Sequence, residues 1–146
     1  MAQTYIGSTL RTGSDTLTDS IDGGFVVVSQ TTTATTVAGG TAVSSTITIP
    51  AQSQIIDLII DMVTVPSFGT ATLVNATIGT VAAGTQYLSA TDVTLVGRTA
   101  LAFTAAQLTS MSNVGTNQNV VITIDPDGTV ATQGTFRLTV VYAQKV

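Results

Sequence analysis

Residues 55–65 read IIDLIIDMVTV, from Ile55 to Val65, and this stretch decides the fold. Side chains on a strand alternate between its two faces. At that period Ile56, Leu58, Ile60 and Met62 share one face, and Asp57, Ile59, Asp61 and Val63 share the other. Both aspartates fall on one side, so the Ile56 face is expected to point into the core. Pro66 and Gly69 end the strand. With two aspartates inside it, this longest apolar stretch is also far short of a membrane span.

Outward from this strand, apolar alternation and turn residues recur at the spacing of a sandwich or barrel. Upstream, 24–31 (GFVVVSQT) reads as a first strand, followed by a Thr-rich loop over 31–36 and Gly39-Gly40. Val43, Ser45, Ile47 and Ile49 share one face of a second strand ended by Pro50. Downstream, 72–78 reads as a strand, the segment around Tyr87 as irregular, and 93–96 as a short strand turned by Gly97-Arg98. Thr104 and Gln107 have capping-box spacing, which predicts a helical turn over 104–111. A polar loop (113–119) leads to a strand carrying Val120, Ile122 and Ile124. Asp125-Pro126-Asp127-Gly128 begins the next turn, and Phe136, Leu138, Val140 and Tyr142 alternate in the last strand. Seven to nine strands are expected, with Ile47, Ile49, Ile56, Leu58, Ile60, Ile122, Ile124, Leu138 and Val140 in the core.

Composition points the same way. Thr (30), Val (18) and Ile (11) make up 59 of the 146 residues, and β-branched side chains favour pleated, half-buried surfaces. A single domain of this length buries roughly 68–70% of its unfolded surface, enough for a core without staples. Only 8% of residues are charged, so solubility rests on Thr, Ser, Asn and Gln, as suits a chain working within an assembly.

Residues 1–24 differ from the rest. Their apolar residues are isolated and without sustained period, Arg11, Asp15, Asp19 and Asp22 fall among them, and Gly23-Gly24 closes the segment. Two readings stand: a flexible tail, or an extended arm lying on a neighbour through Tyr5, Ile6, Leu10, Leu17 and Ile21. The chain is therefore divided into an extended N-terminal arm (1–24) and a β-sandwich domain (25–146).

The chemistry is defined by what is missing. There is no His, Cys, Trp or Glu, and all eight acids are Asp. Nucleophilic dyads with His or Cys and zinc sites are excluded. The single Lys is Lys145, so no phosphate-cradling loop of the P-loop type exists. Asp57 and Asp61 lie about 13 Å apart along a strand, too far for a glycosidase pair. Asp125 and Asp127 lack the further ligands a calcium loop needs, so a turn is expected there. The Asn75-Ala76-Thr77 sequon lies inside a strand. With net charge −4 and four basic residues, a nucleic-acid partner is not expected. The N-terminus lacks the pattern of a signal peptide, so a soluble chain made in the cytoplasm is expected. No cofactor, metal, membrane or enzymatic activity is expected.

The order ITIPAQSQ (47–54), IIDLIIDMVTV (55–65), ATLVNATIGT (71–80), QYLSATDV (86–93), Gly97-Arg98 and QGTFRLTVVYAQ (133–144) resembles small β-rich virion proteins of tailed bacteriophages. The resemblance covers roughly residues 25–144 and rests on strand sequences and Gly/Pro punctuation, with no motif of active residues. Some such proteins resemble capsid decoration (cement) proteins, which form trimers over the shell and have jelly-roll or related β-sandwich folds. The resemblance implies an all-β, jelly-roll-like antiparallel sandwich. It also implies a structural role on the outer surface of the head, with the major capsid protein as partner. A homo-oligomer, a trimer in the first instance, is expected, with Ile59 and Val63 beside the aspartates in its interface. The alternative is a receptor- or glycan-binding module of a fibre or head spike, to which Tyr87 on an irregular loop would contribute; Tyr142 is expected in the core.

Overall fold

The computed structural model describes residues 25–145. Among these residues eight strands and one helix follow one another: β1 (Phe25–Thr35), β2 (Val43–Ile49), β3 (Gln54–Thr64), β4 (Val74–Gly79), β5 (Leu88–Asp92), β6 (Gly97–Thr99), α1 (Ala105–Ser112), β7 (Gln118–Pro126) and β8 (Thr135–Lys145). All pairings are antiparallel, and each early strand meets its late counterpart: β1 with β8, β2 with β7, β3 with β6, β4 with β5. Pairing of β3 with β8 and of β4 with β7 completes two four-stranded sheets, β1-β8-β3-β6 and β2-β7-β4-β5. This nesting is that of one long hairpin rolled into two layers, so the fold is an all-β sandwich with jelly-roll-like strand order.

The core lies between the inner faces. Leu58, Ile60 and Met62 from β3 and Phe136, Leu138, Val140 and Tyr142 from β8 pack in one cluster with Ile47 and Ile49 of β2, Ile78 of β4, and Ile122 and Ile124 of β7. Tyr142 is buried with its hydroxyl accepting a hydrogen bond from Gln30 Nε2, so the phenol leaves no orphaned polar atom.

Ile56 corrects the expected core. Ile55 pairs with Tyr142 and Asp57 with the next residue, Val141, so Ile56 is the extra residue of a β-bulge. A bulge resets the alternation by one position. Ile55 accordingly turns into the core at 3% exposure, while Ile56 faces out at 50%. Beyond the bulge Leu58 and Ile60 regain the inward face as expected. A second bulge lies between Met62 and Thr64, where Val63 is left over and exposed.

Two more boundaries differ. The Thr-rich run is strand rather than loop: β1 pairs with β8 as far as Thr35. Its inward threonines find partners, Thr32 Oγ1 meeting Ser45 Oγ of β2 at 2.6 Å and Thr36 Oγ1 accepting from Gly134 N at 2.8 Å. Residues 93–96 are not a strand. Val93 is buried, but Leu95 and Val96 sit on an exposed turn, and pairing resumes only at Gly97, whose φ of +97° suits glycine. The helix starts where the capping box places it: Thr104 Oγ1 accepts from Gln107 N, and Gln107 Oε1 accepts from Thr104 N. The same Gln107, buried, donates to Thr85 O and Ser89 Oγ, tying α1 to the chain leading into β5.

Candidate functional site

Residues paired across antiparallel strands point to the same face, so the register gives the outer surface of the β1-β8-β3-β6 sheet row by row. One row reads Ser29, Val141, Asp57; the next Thr31, Thr139, Ile59; the next Thr33, Arg137, Asp61, Arg98. The third row carries the charge. Arg137 Nη2 donates to Asp61 Oδ2 at 3.0 Å and Arg98 Nε to Asp61 Oδ1 at 3.1 Å. Asp61 is thereby screened to 13% side-chain exposure, while the side chains of Arg98 and Arg137 stay 64% and 46% exposed. The Arg137 hydrogen bond, reinforced by Arg98, holds the Asp61 carboxyl below the usual carboxylate value. Among the described residues Asp57 has no such partner; its Oδ1 accepts from Leu58 N at 2.8 Å.

Beside this row an open cleft of about 470 Å³ lies between β3 and the chain leaving β6. Asp57, Ile59, Arg98, Leu101 and Phe103 line it, the last two half-buried against the core. At the end of the sheet Val63, Val65, Leu95 and Val96 are all exposed, and Met62 pairing with Gly97 brings the Val63 and Val96 segments side by side.

The expected interface residues therefore divide in two. Ile59 is half-buried in the cleft and Val63 stands exposed at the second bulge, both on the outer surface of one sheet. Tyr5, Ile6, Leu10, Leu17 and Ile21 lie outside the described residues. What the sequence reading missed is the arginine pair. Positions 98 and 137 are unremarkable in sequence, and only the β3 pairings with β6 and β8 bring both to Asp61.

The remaining candidates resolve into structure. Asp127 clamps the 72–73 turn: Oδ1 accepts from Thr72 N at 2.7 Å and Leu73 N at 3.1 Å, and Oδ2 from Thr72 Oγ1 at 2.6 Å. These bonds, the Thr72 hydroxyl first, hold its carboxyl below the usual value. Among the described residues no group of three or more His, Cys, Asp or Glu could hold a metal ion. Tyr87 does not offer a stacking surface, being 3% exposed, and burial pushes its phenol upward. The loop carrying it folds back, its N–H bonded to Ile78 O at 3.0 Å. No helix among the described residues is long and apolar enough to cross a membrane.

No family model matches this sequence, and no curated protein is similar to it. Among solved structures the chain is similar to one described as the acidic stable capsid structure of Helicobacter pylori bacteriophage KHP30, at 15% identity and a TM-score of 0.48, over 83% of this chain and 94% of that one.

Proposed function

We propose that the chain is a non-enzymatic structural protein of a bacteriophage virion, a head decoration (cement) protein that binds the outer surface of the capsid as a homo-trimer and stabilises it. The observation that carries the reading is the outer face of the β1-β8-β3-β6 sheet. Arg98 and Arg137 close on Asp61 there, Val63, Val65, Leu95 and Val96 stand exposed towards the end of the sheet, and Ile59 is half-buried in the cleft it shares with Asp57. An apolar surface rimmed by paired charges is the character of a protein interface rather than of free surface. A closed trimer suits an icosahedral shell, whose local threefold positions offer three equivalent contacts.

The resemblance of the strand sequences to phage virion proteins supports the same reading, as does the scarcity of reactive side chains. A glycan-binding module would need an exposed aromatic platform; among the described residues Tyr87 and Tyr142 are buried and Phe25 stands as a single exposed ring. The N-terminal segment supplies the remaining attachment as an arm on a neighbouring subunit or the shell. Purified protein added to virions stripped of it should rebind to saturation and raise the temperature at which the heads rupture. Failure to co-sediment with heads, or rebinding to tails alone, would refute the proposal.

A further inference from the structure

β6, three residues long, is an outer strand of its sheet and pairs only with β3. The chain around it is fixed at two points. On one side Thr94 Oγ1 accepts from Val74 N at 2.9 Å, and on the other Thr104 and Gln107 close the capping box of α1. Residues 95–103 run between these points with few ties among the described residues. Their hydrogen bonds are those of the short ladder with β3 and one side-chain bond, from Arg98 Nε to Asp61 Oδ1 at 3.1 Å.

Packing over this stretch is thin as well. Leu95 and Val96 are 81% and 67% exposed, and Leu101 and Phe103 are only half-buried along the open cleft. Gly97, at φ +97°, stands where the chain enters the ladder, so a residue free to turn in the left-handed region hinges that end. Behind the ladder, Leu58 and Ile60 of β3 and Leu138 and Val140 of β8 are all at 2% exposure or less. A segment with few buried apolar contacts and few main-chain bonds opens at a smaller free-energy cost than such a core.

We infer that residues 95–103 form a strap that opens and closes as a unit on an otherwise intact sandwich, with Arg98 on Asp61 as its latch. Arg137 holds the same carboxylate from β8, so Asp61 stays in place while the strap is lifted and receives Arg98 when it returns. Opening makes β3 the edge of its sheet, since the strand order is β1-β8-β3-β6. The main-chain groups that β3 spends on β6 are then free beside the cleft, and an unpaired edge is a template for another extended chain. The latch therefore guards a sheet edge. This device belongs to the chain in solution and stands or falls apart from any virion role.

Amide hydrogen exchange of the full-length chain, resolved by residue with NMR, tests it. Residues 97–99 should be protected, but at least about tenfold less than Leu138 and Val140 of β8. Low urea should leave their exchange nearly unchanged while that of β8 quickens, because a local opening exposes little surface. Arg98→Met keeps the aliphatic stem and removes the charge. It should lower protection about threefold to fivefold, the most one exposed ion pair supplies, at 97–99 and in β8 alike, since both openings break that bond. Arg137→Met removes a bond that survives when the strap lifts and is lost only when β8 unfolds. It should lower protection in β8 by a similar factor and leave 97–99 within about twofold of the wild type. Unprotected 97–99 amides in the wild type, or amides matching β8 in protection and urea dependence, would overturn the inference. So would Arg98→Met without effect at 97–99, or Arg137→Met lowering 97–99 as much as β8.

Discussion

Replacing Ile55 and Ile56 singly by alanine separates the bulged strand from a regular one. Ile55 is 3% exposed against the core, and Ile56, its neighbour, is 50% exposed on the outer face. Ile→Ala removes three carbons, about 2.4 kcal/mol when they are fully buried, and the unfilled cavity at Ile55 raises the cost to about 3–4 kcal/mol. At Ile56 half of the transfer term applies and no closed cavity forms, so the cost is about 1 kcal/mol. Urea unfolding followed by circular dichroism reads both, as a lower midpoint at unchanged slope. In heat the same costs amount to about 10 °C for Ile55→Ala against about 3–4 °C for Ile56→Ala. The reasoning fails if Ile56→Ala costs as much as Ile55→Ala, which is the result an unbulged strand would give.

Acid should destabilise the fold through Asp61, Asp92 and Asp127, whose carboxyls are all held below 3.8 by hydrogen bonds, from Arg137 first, from Thr94 and from Thr72. The native state then binds fewer protons than the unfolded one, so urea midpoints should be level above about pH 5 and fall as pH drops through the folded values. Asp61→Asn should flatten that slope, and midpoints rising towards acid would contradict the assignment. Chelator should leave the melting temperature unchanged, since the oxygens of Asp127 are occupied by Thr72 and Leu73; a clear fall would place calcium at the 125–127 turn.

The strands were largely legible because β-branched residues alternate with polar ones over long runs. The inward order of Phe136, Leu138, Val140 and Tyr142 could be read off before any pairing was known, and each is buried. Local chemistry also told true at Thr104 and Gln107, since a capping box is complete within four residues. Alternation fails where a bulge intervenes, because Ile55 and Ile56 are the same residue type and nothing local says which is extra. The Thr run of β1 reads as loop in the sequence for a related reason. Threonine serves strands and turns alike, and the hydrogen bonds to Ser45 and Gly134 that settle it come from distant sequence. The sheet face with its aspartates was visible in the sequence. Its arginines were not, because Arg98 and Arg137 lie 37 and 76 residues from Asp61 and meet it only through strand pairing.

A density map of the intact virion whose genome encodes this chain tests the central claim most directly. The account predicts sandwich density in threefold clusters on the outside of the head, with the β1-β8-β3-β6 face turned against a neighbouring subunit. Density for the chain on the tail alone, or singly at the fivefold vertices, would contradict it.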